Sequence, residues 1–352
     1  MAIDDLFARS GEWLKGTGPE SDIVISSRIR LARNIDGYPF QTRLEDRPRS
    51  ELAAHLEEGI EAAGLPDAGR FVNLSGVDPV DCMLLVERHL VSREHAEAAG
   101  DRGVMFSNAE TVSIMTLEED HLRIQVMRSG LQLEDVWKKA ESIDEQLEQQ
   151  FDYAFSSDFG FLTACPTNVG TGIRVSVMMH LPGLVLTKHI EKVFNAVSKV
   201  NMAVRGLYGE GTHASGDFYQ ISNQVTLGCS EEQTLAAFSD LVPKIIDYER
   251  RTRSKFLEEY RESLEDKIMR AVGALTSAVR ISSEETMERL SMVRLGVNLG
   301  ILDSMEIASV NELFILSQPA HLQKLEGQVL EASERDSARA RLIKSYFDNP
   351  SK

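Results

Sequence analysis

The strongest constraint on the fold is a pair of alternating runs joined by a short acidic turn. In "TVSIMTLEEDHLRIQVM", residues 111 to 127, apolar and polar side chains alternate on both sides of Glu118, Glu119 and Asp120. Alternation with a period of two is typical of β-strands, and three polar residues between two strands predict a tight turn. The segment therefore predicts an antiparallel hairpin, with Leu122 on its apolar face and Arg123 on the opposite face.

Two other alternating runs also carry arginine on one face. "DIVISSRIR" (22 to 30) aligns Arg28 and Arg30, and "IRVSVMMHL" (173 to 181) sets Arg174 and His180 opposite its apolar residues. Three predicted strands thus present arginine from the polar face of an antiparallel sheet. Like charges on one face repel one another unless an anion lies between them, which favours a nucleoside triphosphate as ligand.

Composition narrows the class of protein. Residues between Gly16 and Trp137 include twelve arginines and no lysine, a bias that phosphate binding or a GC-rich genome would equally produce. The formal charge of −17 argues against general nucleic-acid binding. No apolar run is long enough to cross a membrane and no signal peptide is evident, which predicts a cytoplasmic protein. Three scattered cysteines indicate neither disulfides nor a metal site.

The chain divides into two predicted domains. Up to residue 250 strands alternate with helices such as "RSELAAHLEEGIEAAG" and "DPVDCMLLVERHLVS", and capping boxes are expected at Ser230 and Ser282. From residue 251 to 352 the pattern is helical throughout. We therefore expect an α+β fold, mainly an antiparallel β-sheet flanked by helices over 1–250, followed by an all-helical C-terminal domain over 251–352.

The segment "CPTNVGTGIR" (165 to 174) leaves the role of its thiol open. On the residues alone, Cys165 is more often a small buried side chain than a nucleophile or a metal ligand. Neither "NVGTG" nor "GEGTHASG" has the lysine that a Walker loop requires.

Four segments together resemble the signature sequences of the guanidino (phosphagen) kinase family. They are "SSRIRLARN" (26 to 34), "EEDHLRI" (118 to 124), "CPTNVGTGIR" and "RGLYGEG" (205 to 211). The helical region adds "RDSARA" (335 to 340), similar to a motif of the bacterial protein arginine kinases, the McsB family. Leu117 departs from the pattern, because the family often has asparagine there. The first arginine motif begins at residue 26, which leaves no room before it for the helical domain of the small-molecule enzymes.

The resemblance implies roles for individual residues. Glu119 and Glu210 match the two catalytic glutamates, and Cys165 would hold the substrate guanidinium electrostatically as a thiolate without forming a covalent intermediate. Arg335, Asp336 and Arg339 match an allosteric pocket for phosphoarginine. ATP, with Mg²⁺ bridging its phosphates, would be bound by residues in or next to the four motif segments and by one histidine: Ser26, Ser27, Arg28, Ile29, Arg30, His89, Arg123, Arg174, Val175, Ser176, Val177, Met178, Arg205, Gly206, Leu207, Tyr208 and Gly209.

The same resemblance implies a protein arginine kinase whose product marks proteins for the Clp protease in a stress response. Expected partners are proteins with exposed arginines, including the heat-shock repressor CtsR, and the activator McsA, with a homodimer or higher oligomer as the assembly. A small-molecule guanidino kinase and a non-catalytic phosphoarginine-binding adaptor remain as alternatives. The predicted catalytic pair, Glu119 and Glu210, makes the adaptor the less favoured alternative.

Overall fold

A computed structural model describes residues 3, 6, 10–65, 69–206, 215–303 and 305–348 of the chain. The strands in this part of the protein are β1 (Val24–Arg33), β2 (Phe71–Asn73), β3 (Gly103–Phe106), β4 (Val112–Thr116), β5 (Leu122–Ser129), β6 (Phe155–Ser156), β7 (Gly160–Phe161), β8 (Ile173–His180), β9 (Met202–Gly206) and β10 (Phe218–Asn223). The α-helices are α1 (Asp46–Ala62), α2 (Pro79–Glu87), α3 (Arg93–Glu97), α4 (Leu133–Glu148), α5 (Pro182–Leu186), α6 (Ile190–Lys199), α7 (Glu231–Ser277), α8 (Ser283–Asn298), α9 (Ile307–Leu316), α10 (Pro319–Glu326) and α11 (Ala332–Asp348).

Eight strands form one sheet in the order β2-β3-β4-β5-β1-β8-β10-β9, while β6 and β7 form a separate two-stranded hairpin. The pairs β1 with β5, β2 with β3, β3 with β4 and β4 with β5 are all antiparallel. The predicted fold class, a largely antiparallel sheet with flanking helices and a helical C-terminal region, is confirmed.

The acidic hairpin forms as predicted, but its turn is wider than three residues. Strand β4 ends at Thr116, which pairs with Leu122 across residues 117–121. Leu117 leaves the strand because its φ is +57°, and its amide donates to the carbonyl of His121 at 2.9 Å. The alternating pattern gives no indication of a residue with positive φ at this position. It therefore predicts strands that are one residue longer at the turn than those of the structure.

Helix α2 is shorter than its periodicity predicts. The apolar pattern continues to residue 92, yet the helix ends at Glu87 because His89 adopts a φ of +58°. The predicted capping box at Ser230 forms in full, and Ser282 caps α8 through one of the two bonds of such a box. The amide of Gln233 donates to Oγ of Ser230 at 3.2 Å while the amide of Ser230 donates to Oε1 of Gln233 at 3.0 Å. At α8, the amide of Glu285 donates to Oγ of Ser282.

The chain separates into two compact units, the first made of residues 1–13, 26–177 and 222–239. Its core lies between the strands and α1 and α4. Leu52 and Leu56 of α1, Val136 of α4 and Ile124 of β5 are inaccessible to solvent. Burying such side chains contributes roughly 1.5–3 kcal/mol each, so this core fixes the sheet from which the polar residues project.

The second unit consists of residues 14–25, 178–221 and 240–352. Helices α7 and α8 pack through Leu264, Ile268 and Leu295, and a smaller cluster joins Leu322, Leu330 and Ala338. The predicted domain boundary at residue 250 falls inside α7, whose helical geometry is interrupted at Tyr260 (φ −136°, ψ 35°). The division at 250 stays a prediction.

Candidate active site

Two arginines of β1 project from one face of the sheet. Arg28 and Arg30 are two residues apart, and pairing with β5 sets Arg30 opposite Gln125 and Ala32 opposite Arg123. Directly opposed residues of antiparallel strands share a face. Arg123 therefore continues the row that Arg28 and Arg30 begin, as the alternating pattern predicts.

The charges of four arginines act on one another in the first compact unit. Burial and the charges of Arg123 and Arg174 lower the pKa of Arg28 to about 10. Burial also holds the pKa of Arg30 well below its ordinary value, with Arg123, Arg28 and Arg174 adding to the effect and Glu118 opposing it. Neighbouring guanidinium groups that lower one another's pKa values form a site with an excess of positive charge.

The hydrogen bonds of these arginines identify one buried donor that the described residues do not satisfy. Nε of Arg28 donates to Oγ of Ser176 at 3.3 Å, and Arg174 donates to the carbonyl of Asn223 at 3.0 Å. Nε of Arg30 is buried and contacts no acceptor among the described residues. Because a buried donor without a partner costs about 1–3 kcal/mol, Nε of Arg30 favours the binding of an acceptor that the described residues do not supply.

The acidic turn contributes one structural glutamate and one exposed glutamate. Glu118 forms an ion pair with Arg123 and accepts from Oγ of Ser92 at 2.7 Å. Burial raises the pKa of Glu118, but Arg123 and these hydrogen bonds outweigh it and hold the value at about 2. Its carboxylate also accepts from the amide of Glu119 at 2.9 Å. Glu118 thus fixes the turn, while the side chain of Glu119 is exposed and available to a substrate.

A third carboxylate connects the turn to the cysteine segment. Oδ1 of Asp120 accepts from Nδ2 of Asn34 and from the amide of Ala164, both at 2.7 Å. The amide of His121 donates to Oδ1 of Asn34 at 3.0 Å. Sequence reasoning assigned no role to Asn34 or Asp120, although both lie within quoted motifs. They brace the turn that carries Glu119 against the residue next to Cys165.

Cys165 is half-buried at the start of a short 3-10 helix (Pro166–Asn168). Its sulfur lies 3.0 Å from Oγ1 of Thr167, within hydrogen-bond distance. Oγ1 of Thr226 holds the loop by donating to the carbonyls of Thr167 and Val169. Gly170 has a φ of +110°, and a Cβ there would lie 2.4 Å from the carbonyl oxygen of Thr226, so only glycine fits.

His89 lies beside the arginine row and is held by an aromatic neighbour. The rings of Trp13 and His89 meet edge to face with centroids 5.1 Å apart, and Trp13 is 2% exposed. Burial and the charges of Arg28 and Arg30 lower the pKa of His89 to about 3, so the imidazole is neutral at physiological pH. Its carbonyl accepts from Nε2 of Gln125 at 2.7 Å. Sequence reasoning missed Trp13.

The other predicted site residues are distributed as follows. Ser26, Ser27 and Ile29 belong to β1, and Val175, Ser176, Val177 and Met178 to β8. Arg205 is an exposed residue of β9 and Gly206 is buried at its end, both in the second unit. Leu207, Tyr208, Gly209 and Glu210 lie outside the described residues. The joint placement of Glu119 and Glu210 therefore stays a prediction.

The predicted phosphoarginine residues lie on α11 in the second unit. Arg339 is 1% exposed and donates to the carbonyls of Ser317 and Ile281, to Oδ1 of Asp336 and to Oγ of Ser283, at 2.6–2.8 Å. Arg335 is half-buried and donates to the carbonyl of Leu330 at 2.6 Å. Arg339 thus fixes the helix and the carboxylate of Asp336, while Arg335 is the more accessible cation.

The arginine row of the first unit suits a metal ion that is already bound to an anion better than a bare metal ion. Among the described residues no group of three histidine, cysteine or acidic side chains could hold a metal. The row of arginines would repel a bare divalent cation, but it matches the oxygens of a polyphosphate, which can themselves ligate Mg²⁺. No α-helix among the described residues has both the length and the apolar composition that a membrane span requires.

Comparisons with known proteins identify the family models and relatives that the sequence matches. Residues 51–252 match the family described as ATP:guanido phosphotransferase, C-terminal catalytic domain, and residues 261–352 match the protein-arginine kinase McsB C-terminal domain. The chain is 45% identical over 349 residues to the protein-arginine kinase of Halothermothrix orenii, covering 99% of this chain and 100% of that one. It is 43% identical over 334 residues to the protein-arginine kinase of Bacillus subtilis, covering 94% and 92%.

Solved structures show the same fold. Lombricine kinase is 28% identical with a TM-score of 0.58, over 68% of this chain and 70% of that one. The duplicated taurocyamine kinase from Schistosoma mansoni has a TM-score of 0.59 at 24% identity, over 74% of this chain and 40% of that one, a likeness that concerns the fold alone.

Proposed function

Because the chain belongs to the ATP:guanido phosphotransferase family, and to its protein-arginine kinases along nearly its whole length, we propose that it transfers the γ-phosphoryl group of ATP to arginine side chains of proteins. The observation that carries this proposal is the row of arginines around Arg30, whose buried Nε lacks an acceptor among the described residues, beside an acidic turn and a cysteine. An anion clamp next to a binding site for a cation is what phosphoryl transfer to a guanidinium requires.

The arginines supply alignment and charge stabilisation. Phosphoryl transfer passes through a loose transition state with charge spread over the oxygens of the transferred group, so catalysis depends on positioning and electrostatics. Arg28, Arg30, Arg123 and Arg174 would bind the phosphates from one face of the sheet. Arg205, on β9, is proposed as a further phosphate ligand on the family resemblance alone. Mg²⁺, bound by the phosphates, would neutralise further charge. His89, neutral and held by Trp13, would pack against the nucleotide.

The acceptor needs activation because the lone pairs of a guanidinium are delocalised and its pKa lies above 12. Glu119 and Glu210 would orient the guanidinium plane through charge-assisted hydrogen bonds, and one of them would accept the proton that leaves the attacking nitrogen. Asp120 and Asn34 would position Glu119 through the braced turn. Cys165 would contribute negative charge beside the substrate without a covalent bond.

Replacing Cys165 by alanine is expected to lower turnover by about a hundredfold, because one electrostatic contact to the reacting group is lost. Steady-state kinetics on a protein substrate measures this change. Cys229, also half-buried and outside the proposed site, provides the matched control, and Cys229→Ala should retain normal turnover. Isolation of a phosphocysteine from the parent enzyme would contradict the non-covalent role.

A single assay separates the proposed function from the alternatives. Radiolabelled ATP is incubated with the protein in the presence of a basic protein or of free arginine. Label in the protein as acid-labile phosphoarginine supports a protein kinase, label in free arginine alone supports a small-molecule kinase, and label in neither supports the adaptor. The relatives at 42–46% identity are named protein-arginine kinases, which favours the first result.

The family also suggests partners and a location. We propose that the phosphoarginine product directs proteins to the Clp protease, that CtsR is among the substrates, and that McsA activates the kinase, in the cytoplasm. The proposed assembly is a homodimer or higher oligomer. Copurification from cells, followed by mapping of phosphoarginine on the captured proteins, tests these partners, and the absence of any Clp component or CtsR would remove them.

Arg335 and Asp336 are proposed to bind phosphoarginine in the helical region, with Arg339 holding Asp336 in place. Because a charge-assisted hydrogen bond contributes about 1.5–3 kcal/mol, Arg335→Ala should weaken phosphoarginine binding at least about tenfold. Isothermal titration calorimetry with free phosphoarginine measures the Kd. The exposed Arg341, which pairs with Glu326, is the control position. Equal affinity of the Arg335→Ala variant and the parent would show that the pocket lies elsewhere.

A further inference from the structure

An aromatic cavity with two carboxylates lies in the first compact unit, outside the site described above. It has a volume of about 360 Å³ and is formed where α4 ends and the β6–β7 hairpin begins. Four aromatic rings and two acidic side chains line it: Glu148, Phe151, Asp152, Tyr153, Phe155 and Phe161. Phe155, one of the rings that line the cavity, is 61% exposed and therefore accessible to a binding partner.

The chemistry of this cavity suits a cationic side chain. Aromatic faces attract guanidinium and ammonium groups, and carboxylates at the rim add charge attraction. The protein itself provides an example, because the guanidinium carbon of Arg33 lies 3.6 Å from the centroid of Phe161 while Arg33 pairs with Asp144. Phe155 and Tyr153 both meet Phe161 edge to face, with centroids 5.3 and 6.0 Å apart. The open face of this aromatic group offers similar contacts to a second cation.

The cavity is joined directly to the loops of the proposed active site. The amide of Phe161 donates to the carbonyl of Gly170, in the segment that follows Cys165, at 2.8 Å. Nδ2 of Asn34 donates both to the carbonyl of Leu162 and to Asp120 of the acidic turn. Only three residues lie between Phe161 and Cys165 in the chain. A polypeptide presenting an arginine to Cys165 and Glu119 would therefore pass near this cavity.

We propose that this cavity is an accessory site that binds a second basic side chain of a protein substrate. The inference rests on the proposed function and extends it to substrate choice. Glu148 and Asp152 provide charge complementarity to lysine or arginine, and the rings exclude acidic residues. The site makes the enzyme prefer acceptor arginines that have another basic residue at a fixed spacing.

Peptides with one acceptor arginine and one lysine, separated by two to ten residues, test this preference. Lysine serves as the second cation because it is not phosphorylated, and the same peptides with acetyl-lysine remove only the charge. At one spacing the lysine peptide should have a KM about fivefold to tenfold lower than its acetylated form. Phe155→Ala should abolish that ratio, and so should the double change of Glu148→Gln and Asp152→Asn.

Two positions on the same hairpin provide matched controls. Phe159 is 55% exposed and Asp158 is exposed, yet neither lines the cavity, so Phe159→Ala and Asp158→Asn should retain the ratio. Equal KM values for all lysine and acetyl-lysine peptides that the parent phosphorylates would overturn the accessory site and leave the proposed function intact. Kd values measured without ATP test the cavity separately, because a lysine preference there must appear even if no phosphoryl transfer occurs.

Discussion

Replacing Arg30 by methionine is expected to lower phosphoryl transfer at least about a thousandfold and to stabilise the nucleotide-free protein. An arginine that stabilises the transferred phosphoryl group contributes about 10³ or more to turnover. Without nucleotide, however, Arg30 is a half-buried cation beside three others, and its Nε has no acceptor among the described residues. Exchanging a poorly compensated buried charge for an apolar side chain of similar length should raise the free energy of unfolding by about 1–2 kcal/mol.

Thermal unfolding with and without MgADP, together with steady-state kinetics, measures both effects of the Arg30 change. The variant should melt at a higher temperature than the parent without nucleotide and gain less from MgADP. Arg47, which is 90% exposed in its pair with Glu51, is the matched control, and Arg47→Met should alter neither property. An Arg30→Met variant that retains phosphoryl transfer, or that is less stable than the parent without nucleotide, would contradict the assignment of Arg30 to phosphate binding.

Removing the carboxylate of Glu249 is expected to cost about 3–5 kcal/mol of unfolding free energy. Glu249 is inaccessible to solvent and accepts from the amides of Gly183 and Leu184, at 2.8 and 2.9 Å, and from Nε of Arg253 at 2.6 Å. Arg253 is 4% exposed, so Glu249→Ala leaves its charge buried without this partner and removes the acceptor for two amides.

A second ion pair on α7 has the same spacing of four residues and serves as the control. Arg261 and Glu265 form an ion pair of nearly the same length, 2.7 Å, but their side chains are 67% and 38% exposed. Glu265→Ala should cost only about 0.3–0.5 kcal/mol. Denaturant unfolding of the two variants compares the values directly. Similar losses for both would mean that burial does not determine the strength of the Glu249 pair.

The alternating pattern predicted what depends on local geometry. It identified the hairpin, the shared face of Arg28 and Arg30, and the caps at Ser230 and Ser282, because these follow from a period of two or from side chains three residues apart. It gave no sign that Leu117 and His89 adopt positive φ values. The family preference for asparagine at 117 has a physical reason here, since asparagine tolerates that conformation better than leucine.

Periodicity also gave no information about what packs on each face. His180 was assigned to the polar face of its strand, yet it is inaccessible to solvent and its ring nitrogens lie within 2.9 Å of Arg294 and Ser291, all in the second unit. Glu249 lies in a stretch so rich in charge that its sequence resembles a solvated helix. Long-range contacts select which of many similar residues becomes buried, and no short window contains that information.

The packing of Trp13 against His89 gives the protein an intrinsic optical reporter. The chain contains only two tryptophans, and the other, Trp137, lies on α4. Indole emission responds to the charge and solvation of its immediate neighbours, so a ligand that contacts His89 changes the fluorescence of Trp13. With Trp137 replaced by phenylalanine, the occupancy of the proposed nucleotide site should be measurable in real time without a label.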